Sequence, residues 1–272
     1  MQLRTVPARE GLSWVKLGFI WLLRQPWSAL LMMGSYILTV GLFSMLPVLG
    51  GLVPLLVVQI ATLGFMLASR KIAAGETVWP TVLLAGLRTG RRRVRGLLTL
   101  GVLYMAAVVG VLALASWVDG GALLRLLLFG AMPSAALVKS GTLRIAALLA
   151  TLAYVPVSMA FWFAPPLVSW RGMGPWQALF TSFIIVLGNL RAFMLYSIQW
   201  FLLFSAVPII IVLLAQLAGA SAETATLLSL PVALFLFLAF ILSFYASVRS
   251  LIPDPGPDVA APSKNRSERD AN

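Results

Sequence analysis

Apolar residues fall into six long runs, at 27–46, 52–69, 97–117, 145–162, 193–215 and 225–248, and most charged residues gather between them. Each run comes close to the ~20 apolar residues a helix needs to cross a hydrocarbon core about 30 Å thick. The pattern predicts an all-α polytopic membrane protein with six transmembrane helices. One integral membrane domain spans 1–252. Beyond it, Pro253-Asp254-Pro255-Gly256-Pro257-Asp258 and the polar residues up to Asn272 form no packed core, so a disordered tail is expected over 253–272.

A second periodicity precedes the odd-numbered spans. Leu12, Val15, Phe19 and Leu22 recur at helical spacing, while Arg9, Ser13, Lys16 and Arg24 fall on the other face and Ile20 breaks the pattern. Before the third span, Leu83 and Leu87 oppose Thr81, Arg88, Arg92 and Arg95. Before the fifth, Trp176, Phe180, Phe183, Leu187 and Leu190 oppose Gln177, Thr181 and Gly188. These segments predict about three interfacial amphipathic helices on the cytoplasmic side. A shift of 96 residues aligns Trp79-Pro80 with Pro175-Trp176 and Arg95 with Arg191, which suggests a thin repeat of one interfacial helix plus a two-span hairpin.

The loops sharpen this picture. Pro47, Gly50 and Gly51 serve a tight turn after the first span, and Gly219 serves another before Glu223. The stretch 118–143 is longer. Its apolar part, Leu123 to Phe129, is too short to cross, and is expected to rest on the outer interface or cap the bundle. Pro54, Pro156, Pro208 and Pro231 lie within spans, each freeing a backbone carbonyl, and Pro165-Pro166 ends the fourth. Ala106-x-x-x-Gly110 and Ala146-x-x-x-Ala150 permit close helix approach in the third and fourth spans.

Charge supplies the orientation. All but three of the twenty Lys and Arg residues lie on one side, the exceptions being Arg125, Lys139 and Arg144. The positive-inside rule therefore predicts both termini in the cytoplasm and an even number of spans. Lys16 and Arg24 interrupt the first apolar stretch, which reads poorly as a cleaved signal peptide.

Composition narrows the chemistry. Of 272 residues 61% are hydrophobic and 10% charged, mean hydropathy is +0.99, and neither cysteine nor histidine occurs. Disulfides, thiolate nucleophiles and histidine acid-base or metal chemistry are excluded. No acidic or basic residue falls mid-span, which disfavours a proton relay. No two carboxylates share a helical face. Ser44, Ser116, Ser158 and Ser205 lack an evident base, so no catalytic residue, metal site or cofactor is expected.

Two groups of site candidates remain. Uncharged polar residues in the spans, above all Gln59, Tyr154, Ser158 and Gln199, either line a polar path or bond neighbouring helices; Thr62, Ser205 and Gln216 are further members. Gln59 is the hardest to dismiss, since its amide has four hydrogen-bonding positions to satisfy in hydrocarbon. The densest charge is Arg88, Arg91, Arg92, Arg93 and Arg95. Beside an anionic leaflet such arginines contribute on the order of 1 kcal/mol each, which points to lipid headgroups, while the lack of interleaved aromatics speaks against nucleic acid.

Phe161-Trp162-Phe163-Ala164-Pro165-Pro166-Leu167-Val168-Ser169-Trp170 with Pro175-Trp176-Gln177-Ala178-Leu179-Phe180-Thr181-Ser182-Phe183, and the opening from Trp14 to Pro26, resembles an uncharacterised proteobacterial inner-membrane family up to about residue 252. More distantly, the order of interfacial helix and hairpin is similar to the membrane domain attached to some glycerophosphodiester phosphodiesterases. The resemblance implies a multi-pass protein of the bacterial cytoplasmic membrane and no known activity. A non-catalytic scaffold or accessory subunit binding anionic lipid is the expected function, with a membrane-protein partner or a second copy as possible company. A transporter or channel for a neutral or amphipathic solute is the alternative.

Overall fold

A computed structural model describes residues 4–46 and 50–252. The tail expected over 253–272, and Pro47 of the first turn, lie outside the described residues. Among those described there are no strands. The helices run α1 (Glu10–Arg24), α2 (Pro26–Ser44), α3 (Val53–Ala73), a 3-10 helix (Pro80–Arg88), α4 (Arg91–Asp119), α5 (Ala122–Phe129), α6 (Ala135–Lys139), α7 (Thr142–Phe161), α8 (Ala164–Arg171), α9 (Pro175–Gly188), α10 (Leu190–Leu217) and α11 (Ala222–Leu251).

Among the described residues six helical stretches are long and apolar enough to cross a membrane: α2, α3, α4, the α7–α8 stretch, α10 and α11. Each contains or closely matches one of the six apolar runs. Their ends have local causes. Gly120, with φ of 63°, stops α4 in the left-handed region that favours glycine, and the Ser221 side chain accepts from the Thr224 N–H to start α11. Pro156, Pro208 and Pro231 sit inside α7, α10 and α11.

The chain divides into two compact units. Among the described residues the first comprises 4–35, 65–82 and 185–252, and in it α1 packs on both α10 and α11. Trp14 is fully buried there, with its ring centroid 5.1 Å from that of Phe193 and its Nε1 donating to Ser250 Oγ at 2.9 Å. Between α10 and α11, Tyr196 and Ser243 hydroxyls lie 2.6 Å apart. Because Ser243 donates its only proton to the Phe240 carbonyl, Tyr196 is the donor of the pair. Gln25, just past α1, donates to the Glu76 carbonyl and accepts from the Val78 N–H.

The helix over 10–24 was expected, but its contact face is rotated. Val15 and Leu22 are buried as the apolar pattern requires, whereas Leu12 is exposed and Gly11, Trp14, Gly18 and Trp21 complete the buried side. Close approach to two spans, rather than hydrophobicity alone, chose that face.

Among the described residues the second unit comprises 36–46, 50–64 and 83–184. Here α4 packs against α7, α5 and α8. Leu112 and Ala115 of α4, Leu123 and Leu128 of α5, and Ala146 and Ala150 of α7 form one buried cluster, so the small residues at 146 and 150 do face a neighbouring helix. The short α5 is held by Asp119, whose carboxylate accepts from the N–H groups of Gly121 at 2.8 Å and Leu123 at 2.7 Å. At the other end, Ser182 Oγ accepts from the Phe163 N–H and donates to the Met159 carbonyl, tying α9 to the α7–α8 break.

One expectation needs correction. No amphipathic α-helix covers 81–95: residues Pro80–Arg88 form a 3-10 helix, and Arg91, Arg92, Arg93 and Arg95 belong to the first two turns of α4 itself. Thr89 and Gly90 separate the two, with Gly90 at a φ of 97° that a side chain would resist.

Candidate functional site

At 29 residues, α4 is about 43 Å long, which exceeds a hydrocarbon core of ~30 Å. The surplus is at its start. Mostly apolar sequence begins at Leu97, so the length beyond what a crossing needs includes Arg91 to Arg95. Gly90 has no side chain with which to cap the first turn, whose partial positive charge adds to that of the guanidinium groups.

Opposite this turn lies the connection from α8 to α9. Together they enclose a cleft of about 570 Å³, lined on one side by Arg91, Arg92, Arg93 and Arg95 and on the other by Gly172, Met173, Gly174 and Pro175. Val168 closes it, touching the position where Gly96 would carry a Cβ. No carboxylate lines the cleft. Its two threonines are engaged locally, Thr89 Oγ1 with the Gly86 carbonyl at 2.7 Å and Thr99 Oγ1 with the Arg95 carbonyl at 2.9 Å. The arginines in its wall carry planar cationic groups, a shape suited to bidentate contact with phosphate. Arg88, counted with the cluster from the sequence, is on the last turn of the 3-10 helix and does not line the cleft.

The polar span residues are not assembled into one site. Tyr154 shares a 2.7 Å hydrogen bond with Tyr104 between α7 and α4. Ser158 donates to its own helix at the Val155 carbonyl. Gln59 is 4% exposed and its Oε1 has no hydrogen-bond partner; Gln199, half-buried in the other unit, likewise has an unpartnered Oε1. Of these four, Tyr154 lines a large cavity beneath α5, and Gln59 and Ser158 do not.

Sequence reading missed the far wall of the cleft. The signal was the Gly172-Met173-Gly174-Pro175 run, a turn composition whose place opposite the arginines depends on α8 folding back against α4. It also missed Asn189, which is buried and accepts from the Val6 N–H at 2.8 Å while donating to the Arg4 and Ile185 carbonyls.

No family model and no solved structure matches the chain. A curated relative from Burkholderia thailandensis, named a probable inner membrane protein, is 38% identical over 264 residues, which cover 94% of this chain and 96% of the relative. Near-complete coverage at that identity, together with six helices able to cross a membrane, places the chain plainly: it belongs to the family of that inner membrane protein.

Proposed function

We propose that the protein is a non-catalytic integral protein of the bacterial inner membrane, a scaffold or accessory subunit that holds anionic phospholipid at its cytoplasmic face, with both termini in the cytoplasm. The arginine cleft is the observation that carries this reading. Four arginines line a cleft at the start of a helix long enough to cross the membrane, no carboxylate lines the space, and the facing turn leaves room for a phosphate. Support for a non-catalytic role comes from the sequence, which offers neither cysteine nor histidine and places no acid-base pair in a span.

Native mass spectrometry of the full chain from mild detergent tests this. Cardiolipin or phosphatidylglycerol should copurify, and replacing Arg91, Arg92, Arg93 and Arg95 with Gln should sharply lower its retention. Unchanged retention in the quadruple variant would reduce the cluster to a topology signal and remove the lipid-binding reading.

A transporter for a neutral or amphipathic solute is the second reading, favoured by the cavity of about 880 Å³ beneath α5. It requires solute flux across proteoliposomes containing the purified protein.

A further inference from the structure

The cavity beneath α5 lies wholly in the second unit and shares no lining residue with the arginine cleft. Its walls include Leu55 of α3, Val108 and Leu112 of α4, Leu128 of α5, and Thr151 and Tyr154 of α7. No charged side chain lines it. The hydroxyls in its wall already have partners: Ser44 donates to the Val40 carbonyl, Thr151 to the Ala147 carbonyl, and Tyr154 pairs with Tyr104.

Those facts narrow the occupant. The lining is mostly apolar, with a polar minority from backbone and engaged hydroxyls, and the space is open on one side. An empty space of about 880 Å³ would leave its apolar lining without contacts, and the volume is within the roughly 300–1,000 Å³ of ordinary ligand pockets. Depth is the second constraint. The cavity begins beside α5 and reaches Tyr154, twelve residues into α7, or about 18 Å at 1.5 Å per residue. Half of a ~30 Å hydrocarbon core is about 15 Å. At about 18 Å the cavity runs slightly past that half-thickness, long enough to take most of one acyl chain.

We propose that this cavity is a binding site for one acyl chain of a phospholipid from the leaflet beside α5, with the Tyr104–Tyr154 pair as its floor. The lipid is recognised mainly by shape and apolarity. It is a different molecule from any lipid at the arginine cleft, because Arg95 and Val108 are thirteen residues apart on α4, about 20 Å along its axis.

The test uses the full chain in vesicles of phosphatidylethanolamine and phosphatidylglycerol, doped with a phospholipid carrying a diazirine near the end of one acyl chain. After photolysis, adducts should concentrate on 108–112 and 150–154. Thr151→Phe places a ring in the cavity from an exposed position, and should lower those adducts roughly fivefold, since the ring displaces several methylene groups. Val108→Phe should act alike. Tyr154→Phe should leave labelling unchanged, because its hydroxyl is already paired. Adducts no denser there than at the exposed Ile209 and Leu213 of α10, or labelling insensitive to both fillings, would overturn the proposal. Loss of labelling in Tyr154→Phe would overturn it too, by showing an occupant that reads the hydroxyl. Thermal unfolding of each variant in mild detergent reports folding, and retention of phosphatidylglycerol at the arginine cleft, measured on the same samples, tests the lipid-headgroup reading separately.

Discussion

Gly18 of α1 lies against the Ala239 carbonyl of α11 so closely that a Cβ would collide with backbone rather than with a flexible side chain. Gly11 meets the Ala192 carbonyl of α10 in the same way. These two contacts let α1 bury Trp14 and Trp21 between the two spans, which a helix lying freely on a lipid surface would not do. Gly18→Ala should therefore destabilise the first unit by about 1–3 kcal/mol through forced backbone displacement, against the modest gain in helix propensity. Thermal unfolding in mild detergent measures it. Gly34→Ala, with nothing within 4 Å of its would-be Cβ, is the control and should cost nothing.

Asn189 pins the N-terminal segment by three side-chain hydrogen bonds, two of them to residues 4 and 6. Alanine there leaves the Val6 N–H without its acceptor and two carbonyls without a donor. Loss of about 1–3 kcal/mol is the ordinary cost of such unmade bonds. Hydrogen exchange over residues 4–9 should then speed up by about tenfold or more, at ~1.4 kcal/mol per tenfold. Asn189→Asp keeps an acceptor for Val6 and loses both donations, so its exchange should fall between. Exchange unchanged in Asn189→Ala would show that the segment is held by other contacts.

Length and hydropathy made the six spans legible, because crossing a bilayer imposes a requirement that a run of residues either meets or fails. Finer features depended on partners the sequence does not pair. The buried face of α1 follows its glycines, and their value is visible only once α10 and α11 lie alongside. Residues 80–88 carry the apolar spacing of a helix, yet Pro80 and Gly86 stand within them, and Gly86 packs near Ile60, Leu63 and Leu97 in a 3-10 turn. The arginines were visible as charge. Their cleft was not, since its other wall comes from the distant α8–α9 turn. The apolar stretch from Leu123 was correctly too short to cross, and what the sequence left undecided was its clamp by Asp119.

Orientation rests on charge alone, and it is directly measurable in a chain without cysteine. Single cysteines at Ser134 and Ala220 should react with an impermeant thiol reagent added outside sealed cells, whereas those at Thr89 and Ser263 should stay unlabelled. The readout at Thr89 decides most. It adjoins the arginine cleft, so outside labelling there would invert the topology and move the proposed headgroup site to the opposite leaflet.

Gln59 gives the sharpest contrast between packing and transport. It is buried on α3, its Oε1 has no partner, and it does not line the cavity beneath α5. An unsatisfied buried acceptor costs about 1–3 kcal/mol, so removing it with an apolar side chain of similar size relieves a penalty. Gln59→Leu should leave the unfolding temperature unchanged or raise it, the small cost of lost volume being offset by that relief. Gln59→Cys should resist a small aqueous thiol reagent, because water has no route to a side chain 4% exposed. Reactivity at this position, combined with solute flux that Gln59→Leu abolishes, would instead make the unpaired oxygen part of a permeation path, and the scaffold reading would give way to a transporter whose polar lining the static packing conceals.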